Sequence, residues 1–439
     1  MLTLTLLLVI MVFIVLATST FHIHPFLVLL LSALFMGLFA GLDSDAVIKA
    51  IAGGFGGTLK SIGIVIACGT IIGTFLEKSG GAKKMAETVL RLVGEKNSPL
   101  AMSITGYIVS IPVFCDSGFV LLSALNRALS KRTGRSLAVI AIALSTGLYT
   151  THVFVPPTPG PLAAAANIGA DIGLVLIFGL IVSIPTAAAG LFWATWFCKR
   201  FTIIPQEEMA QFEETEMPAT ALVFAPLIVP IILIALKSVA DYPTLPFGEG
   251  GLKSAFDFIG NPIIALLLGV FISFLLPAKK DQNVFSGWVG EGLKNAGTII
   301  LITGDGGAFG SVLKATNVGT YLGDTLSHWQ LGIFLPFIIS AALKTAQGSS
   351  TVALITTSAL VAPMLGAMGF EAPLAKALVV LAIGAGAMTV SHANDSYFWV
   401  VSQFSDMDTP TALRCHSMAT LIQGVTGILT ISILSLILL

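Results

Sequence analysis

Residues Leu100 to Arg132 read LAMSITGYIVSIPVFCDSGFVLLSALNRALSKR, and this stretch decides how the chain is predicted to fold. It is apolar enough to enter a bilayer, but PVFCDSGF (Pro112–Phe119) interrupts it with a proline, a glycine and a carboxylate. Nine Lys and Arg side chains flank the interruption on both sides, between Lys78 and Arg135. Because positive loops stay cytoplasmic, the segment is predicted to enter and leave on one side, as a re-entrant hairpin over about residues 100–126.

The composition places the rest of the chain in the membrane as well. Of 439 residues, 55% are hydrophobic and 10% are charged, whereas soluble globular chains carry about 25% charged residues. Long apolar runs recur from one end of the chain to the other, and in lipid such runs form helices because unpaired backbone groups are costly there. The sequence therefore predicts an all-α polytopic membrane protein, multi-pass, in a bacterial inner membrane.

Several functional classes are disfavoured. The net charge is −1 and no basic stripe is present, so no nucleic-acid partner is expected. The four cysteines lack the spacing of a metal site or a disulfide framework. The sequence has no HExxH and no GxSxG motif. We therefore expect neither an enzyme nor a protein with a cofactor or a metal.

An acidic segment, PQEEMAQFEETEMP at residues 205–218, divides the chain and is predicted to be a cytoplasmic linker. The two halves, residues 1–204 and 219–439, show the same order of elements: three spans, an interrupted segment, a broken span and a final span. In addition, GTLKSIGIVI (Gly57–Ile66) resembles EGLKNAGTII (Glu291–Ile300). The sequence therefore predicts an internal repeat.

The two repeats are predicted to have inverted topology. The first contains the hairpin at about 100–126 and a broken helix at about 137–165, and the second a hairpin at about 331–364 and a broken helix at about 373–402. Each repeat then has five crossings, and an odd number inverts the second repeat relative to the first. Inverted repeats whose broken helices meet near the midplane are the architecture of secondary transporters, which work by alternating access.

Two further predicted spans cover Ile62–Leu76 and Thr298–Leu313. The second contains Asp305, in TGDGGAFG (Thr303–Gly310). These glycines do not form a phosphate-binding loop, because no Lys-Ser/Thr pair follows them. The sequence leaves the role of Asp305 open.

Polar clusters lie at the two hairpin tips and the two broken helices, where polar groups at membrane depth require a function. Half-helices that begin there direct N–H groups and a positive dipole end toward the centre, which suits a carboxylate. The predicted substrate-binding residues are Asp116, Ser117, Gly118, Thr151, His152, Thr158, Lys344, Gln347, Gly348, Ser349, Ser350, Thr351, His392, Asn394, Asp395 and Ser396. The predicted proton-coupling residues are Asp116, His152 and Asp395, because buried Asp and His titrate.

The same residues have structural explanations. Ser, Thr and Gly in apolar helices let neighbouring helices approach, His152 and His392 are compatible with core histidines, and Lys344 is compatible with snorkelling to the membrane surface. Na⁺ is an alternative coupling ion, because carbonyl and hydroxyl groups at helix breaks also bind it. A channel is disfavoured, because two nonidentical loops per chain are typical of a carrier.

Three motifs resemble the gluconate permease (GntP) family: SHANDSYFW (Ser391–Trp399), FVPPTPGPLAA (Phe154–Ala164) and GSSTVALITTSALVAP (Gly348–Pro363). The resemblance is collinear over essentially the whole chain. It implies proton-coupled uptake of gluconate or a related small hydroxy-carboxylate, such as a sugar acid or glycerate, with D-serine as the substrate of some members. It also implies a homodimer with both hairpins at the substrate site.

The chain departs from the family pattern at three positions. They are Asp116 in FCDSGFV, where members typically have an aromatic residue and a Glu, Thr158 where a His is usual, and Lys344 where an Arg or His is common. A shorter carboxylate at the first tip predicts a differently shaped pocket. Glycerate or another short hydroxy acid is therefore an alternative to gluconate.

Overall fold

In the computed structural model, the described residues form helices joined by turns and loops and include no β-strand. These residues are 2–19, 21–205, 217–240, 250–278, 281–316, 331–392 and 395–439. The predicted acidic linker lies largely outside the described residues, as does Asn394 of the predicted site.

The helices of the first half are α1 Leu2–Ser19, α2 Pro25–Phe39, α3 Ser44–Lys78, α4 Gly81–Val93, α5 Ser98–Val109, α6 Cys115–Thr133, α7 Leu137–Phe154, α8 Pro159–Ile168 and α9 Ile172–Trp196. Those of the second half are α10 Thr220–Ala240, α11 Gly251–Ile259, α12 Pro262–Ser273, α13 Val289–Ala315, α14 Phe334–Gln347, α15 Ser350–Val361, α16 Pro373–Met388, α17 Ser396–Phe404, α18 Thr409–Ala412 and α19 Met418–Leu438. A π-helical turn, Leu413–Ser417, joins the last two.

Six helical stretches in the described part of the chain are long and apolar enough to cross a membrane. They are Ser44–Lys78, Leu137–Ile168, Ile172–Arg200, Thr220–Ala240, Val284–Ala315 and Thr409–Leu438. The pair α11 and α12, bent by 63°, makes a seventh if it forms one span. The protein is therefore a multi-pass membrane protein, and five crossings in each half stay a prediction.

Two of these helices are longer than the sequence predicted, because α3 and α13 each extend through a glycine-rich part that dilutes its hydropathy. The two helices pack against each other. A Cβ atom on Gly54 would lie 2.4 Å from the carbonyl oxygen of Gly307, so glycine is required for this close approach. At the other end of the pair, Lys78 Nζ lies 2.6 Å from Glu291 Oε2. The helices are therefore antiparallel.

The first segments of the two broken helices form the core. Every residue of α7 is buried, and so is each residue of α16 from Ala377 to Met388. Peripheral helices instead expose large apolar side chains, such as Phe192 on α9 and Ile433 on α19. In a bilayer these side chains face lipid, so the polar interruptions of the broken helices lie at the centre of the protein.

The second arms of the two interrupted segments pack on the opposite half. Helix α6 contacts α17, and α15 contacts α8. The guanidinium group of Arg127 donates to both carboxylate oxygens of Asp406, each at 2.7 Å. Asn167 Nδ2 donates to the Ile355 carbonyl oxygen at 3.3 Å and lies 3.0 Å from Ser358 Oγ. The second helix of each interrupted segment is therefore held by contacts with the opposite half of the protein.

The two flanks of the first interrupted segment lie together. Arg132 forms an ion pair with Glu95 at 2.7 Å, and the Arg135 guanidinium group donates to the Lys96 carbonyl oxygen at 3.0 Å. The residues before α5 and after α6 are therefore neighbours, as expected of a segment that enters and leaves on the same side.

This contact leads to a prediction about topology. In a chain whose native cysteines are replaced, cysteines at the exposed positions Arg91 and Lys131 should both resist a membrane-impermeant maleimide added to intact cells, because the positive-inside rule predicts that both flanks are cytoplasmic. A cysteine at the exposed Asp45, at the opposite end of α3, should react and serves as the control. Labelling of Lys131→Cys from outside would contradict the predicted re-entrant hairpin.

Candidate functional site

Local backbone chemistry creates the breaks that form the site. Helix α14 ends because Gly348 adopts φ 85°, a left-handed conformation that favours glycine. Ser349 then caps α15 by accepting a hydrogen bond from the Val352 N–H at 3.3 Å. In the second broken helix, Asp395 caps α17 by accepting from the Tyr397 N–H at 3.0 Å. The helix N-termini are thus set by residues that also supply polar side chains.

Both interrupted segments and both broken helices line one cavity of about 280 Å³. Its lining residues are Phe114, Cys115, Asp116, Tyr149, His152, Gln347, Gly348, Ser349, Ser350, Thr351, Asp395, Ser396 and Tyr397. Three helices begin in this lining, α6 at Cys115, α15 at Ser350 and α17 at Ser396. Because helix N-termini carry partial positive charge, the cavity favours an anion.

A buried ion pair borders the cavity. The side chain of Lys344 is fully buried, and its Nζ lies 2.5 Å from Asp395 Oδ2. Lys344 also donates to the carbonyl oxygen of Gly348, and Ser391 Oγ donates to the same carboxylate oxygen at 2.5 Å. Lys344 therefore does not snorkel to the membrane surface, and that alternative is wrong.

Three polar side chains of the lining have buried atoms without a hydrogen-bond partner in the described chain. These are both amide atoms of Gln347, Oδ1 of Asp116 and Nδ1 of His152. Buried polar groups are normally hydrogen-bonded because their desolvation costs about 1–3 kcal/mol. These three residues line the cavity, where a small polar molecule could form the missing hydrogen bonds.

Some predicted site residues lie outside the cavity lining. Gly118 faces α7, since a Cβ there would lie 2.8 Å from Leu148 Cδ2. Ser117 is half-buried beside it but does not line the cavity. Thr151 donates to the Tyr107 carbonyl oxygen at 2.9 Å. Thr151 and Gly118 therefore hold the first hairpin against the broken helix.

Two more predicted residues make hydrogen-bond contacts within the protein. Thr158 Oγ1 donates to the Val155 carbonyl oxygen at 2.6 Å, as hydroxyls near helix ends commonly do. His392 Nε2 lies 2.8 Å from the Thr345 carbonyl oxygen and joins the second break to the second hairpin. His392 therefore lies outside the cavity lining, whereas His152 is part of it.

Three aromatic residues of the lining, Phe114, Tyr149 and Tyr397, were not predicted. The rings of Tyr149 and Tyr397 lie 5.3 Å apart, and the Tyr397 hydroxyl donates to the Ser145 carbonyl oxygen at 3.0 Å. Tyr397 directly follows the break in SHANDSYFW, so its position beside a polar break was a usable signal. Tyr149 directly precedes Thr150, Thr151 and His152, so its position beside this polar cluster was also a usable signal.

A buried histidine that the sequence did not indicate extends the polar network. His416 Nε2 lies 3.0 Å from Ser391 Oγ, and His416 Nδ1 lies 3.1 Å from Ser145 Oγ. Since Ser391 also donates to Asp395, the network runs from the cavity wall through Ser391 to His416. It fixes the orientation of the Asp395 carboxylate.

The fold is similar to that of a solved transporter. The crystal structure of the Alcanivorax borkumensis YdaH transporter matches with a TM-score of 0.69, covering 94% of this chain and 98% of the other. The sequence identity is 15%. The similarity therefore concerns the fold.

Relatives at higher identity cover nearly all of the chain. An uncharacterized permease of Haemophilus influenzae is 37% identical over 95% of this chain and 88% of its own length. A gluconate permease of Pseudomonas aeruginosa is 34% identical, covering 96% and 94%. The D-serine transporter DsdX of Escherichia coli is 33% identical, covering 98% of each.

The family assignment rests on the whole chain. The family described as GntP family permease matches residues 1–437. The relatives above are permeases and transporters, and the all-helical membrane fold agrees with that function. The chain therefore belongs to the GntP permease family and is a membrane transporter, as the sequence motifs predicted, and not an enzyme.

Proposed function

We propose that this protein is a secondary transporter of the bacterial inner membrane that imports a small hydroxy-carboxylate together with protons. The substrate, gluconate or a related sugar acid such as glycerate, binds in the cavity between the hairpin tips and the broken helices. The observation that carries the proposal is the fully buried Lys344, paired with Asp395 at the edge of this cavity. A buried ammonium group beside a polar cavity is suited to binding a carboxylate.

Charge balance links the anion to protons. Lys344 contributes one positive charge, whereas Asp116 and Asp395 contribute two carboxyl groups. A substrate carboxylate added to ionised Asp116 and Asp395 would leave net negative charge buried at high cost. Protonation of Asp116 removes one of these negative charges. Protonation of Asp395 removes the other and frees Lys344 to pair with the substrate. Proton uptake therefore accompanies substrate binding.

The lining also suits the hydroxyl groups of a sugar acid. Ser349, Ser350 and Thr351 bring hydroxyl groups to one side of the cavity, and Gln347 brings an amide whose two polar atoms are unpaired among the described residues. The cavity volume of about 280 Å³ lies near the lower end of ligand pockets, about 300–1,000 Å³. This favours a short acid over a bulky one.

Alternating access by two inverted repeats is supported by the arrangement of the arms. The pairs α6 with α17 and α15 with α8 exchange equivalent elements between the halves. Such a reciprocal arrangement is expected where two repeats are related by a pseudo-twofold axis in the membrane plane. Motion of the tips and breaks relative to α3 and α13 would then expose the cavity to either side.

A second candidate substrate is a small amino acid such as D-serine. The DsdX relative transports D-serine by its name, and Asp116 Oδ1 is free in the described structure to receive an ammonium group. A zwitterion carries its own positive charge, so its binding would not require protonation of Asp116. Counterflow in proteoliposomes with labelled gluconate, glycerate, other hydroxy acids and D-serine distinguishes the two classes.

Energy coupling is tested in the same proteoliposomes. Asp116→Asn should lose most accumulation driven by a pH gradient yet retain counterflow, because exchange needs no net proton movement. His152→Gln tests the second titratable group of the lining. Asp408→Asn changes an exposed helix cap and should behave as the wild type. The proposal of proton coupling would be wrong if accumulation by the wild type were independent of the pH gradient and required Na⁺. The coupling ion would then be Na⁺.

A further inference from the structure

We propose that Asp305, on α13 and outside the substrate cavity, is a second proton-binding site whose proton moves with the carrier. This inference rests on the proposed function, since it assigns a further group to energy coupling. Asp305 belongs to no part of the site described above.

The carboxyl group of Asp305 is isolated in the protein interior. Its side chain is fully buried, and neither oxygen has a hydrogen-bond partner among the residues that the structure describes. An ionised carboxylate without a partner is prohibitively costly at this depth. The group is therefore expected to be neutral, which means that it holds a proton.

Among the residues that the structure describes, the elements packed against α13 supply no buried counter-charge. Helices α2, α8 and α15 contain no Asp, Glu, His, Lys or Arg. The charged residues of α3 and α13 other than Asp305 all have exposed side chains. They are Asp45, Lys49, Lys60, Glu77, Lys78, Glu291, Lys294 and Lys314. No buried cation in these helices therefore stabilises an ionised Asp305.

The packing around Asp305 connects it to the substrate cavity. On one side, a Cβ on Gly304 would lie 2.6 Å from Phe55 of α3. On another, a Cβ on Gly306 would lie 2.2 Å from Ile355 of α15. Helix α15 begins at Ser350 in the cavity wall. A charge that appeared on Asp305 would draw water into this tight contact and oppose movement of α15 along α13.

A proton fits this position better than a metal cation. Hard cations need several oxygen ligands around them, whereas a proton needs one carboxylate oxygen. Thr303, the nearest hydroxyl in sequence, has an unpartnered Oγ1 in the described structure and donates nothing to Asp305. The proposed state of Asp305 is thus the neutral acid, charged only when its proton is released.

Infrared spectroscopy of the purified protein tests the protonation directly. At neutral pH the wild type should show the carbonyl band of a protonated carboxylic acid, and Asp305→Asn should lose it. Asp45→Asn, at an exposed site, should retain the band. Should Asp305→Asn fold poorly, Asp305→Ser offers a smaller side chain without a carboxyl group. An unchanged band in the folded variant overturns the proposal.

Transport then tests the coupling role. Asp305→Asn should retain counterflow but lower accumulation driven by a pH gradient severalfold. Loss of the band with unchanged accumulation would make Asp305 a structural acid and overturn its role in coupling. If the wild type transports no carboxylate at all, the proposed function fails while the infrared result still stands. The two failures are therefore distinguishable.

Discussion

Replacing Lys344 by glutamine should abolish measurable carboxylate transport and strongly destabilise the purified protein. Removing one partner of a buried ion pair leaves an uncompensated charge, which costs about 3–5 kcal/mol. The remaining charge would be that of Asp395, held in place by Ser391. Thermal unfolding and substrate binding in detergent measure the two effects. The double variant Lys344→Gln, Asp395→Asn should recover stability but not binding.

Asp395→Asn alone provides the complementary result. Asparagine keeps the helix cap, but Lys344 loses its partner, so the empty protein should be less stable than the wild type. A substrate anion should then stabilise this variant more than it stabilises the wild type, because it replaces the missing carboxylate. Lys78→Gln breaks an exposed pair with Glu291 and should cost less than about 1 kcal/mol. If Lys344→Gln bound substrate with unaltered affinity, this lysine would not contact the substrate.

Replacing Gly147 by valine should disrupt the position of the first hairpin and eliminate transport. A Cβ at this position would lie 2.1 Å from the Ser103 carbonyl oxygen, so α5 and α7 would have to separate. Overpacking of this kind typically costs about 1–3 kcal/mol. The displacement also moves His152, which lies on α7 in the cavity lining. Thermal unfolding and counterflow measure the result.

A glycine without close neighbours supplies the control for this substitution. A Cβ on Gly63 of α3 would meet no atom within 4 Å. Alanine favours a helix over glycine by about 1 kcal/mol, so Gly63→Ala should be neutral or stabilising and should keep transport. Wild-type counterflow by Gly147→Val would show that the contact between α5 and α7 tolerates separation.

The breaks in the helices could be predicted because their causes are local. Gly348 ends α14 and Ser349 begins α15 through backbone conformation and capping, both of which are properties of a few adjacent residues. The proline-rich stretch after Phe154 likewise separates α7 from α8. Charge on both flanks predicts a re-entrant hairpin, and the two ends of this interrupted segment are in contact through Arg132 and Glu95.

Other features could not be predicted because they depend on distant partners. Lys344 is buried only because Asp395, 51 residues away, neutralises it, and the sequence alone left the membrane surface open as an alternative. His416 joins the network only because the fold places it beside Ser391 and Ser145, which are 25 and 271 residues away in the sequence. The glycine-rich start of α3 has low hydropathy, so the sequence did not predict it as part of the span. In the structure it is helical and packs against α13 at Gly54.

The exchange of arms between the halves has a consequence for biosynthesis. Helix α6 ends at Thr133, but its partner α17 begins at Ser396, about 260 residues later. At about 5–20 residues per second, the ribosome needs tens of seconds to make the intervening chain. Throughout that interval α6, whose first turn contains Asp116, has been synthesised but α17, which packs against it, has not. The speed of translation and the membrane insertion machinery therefore become determinants of how much chain reaches the folded state.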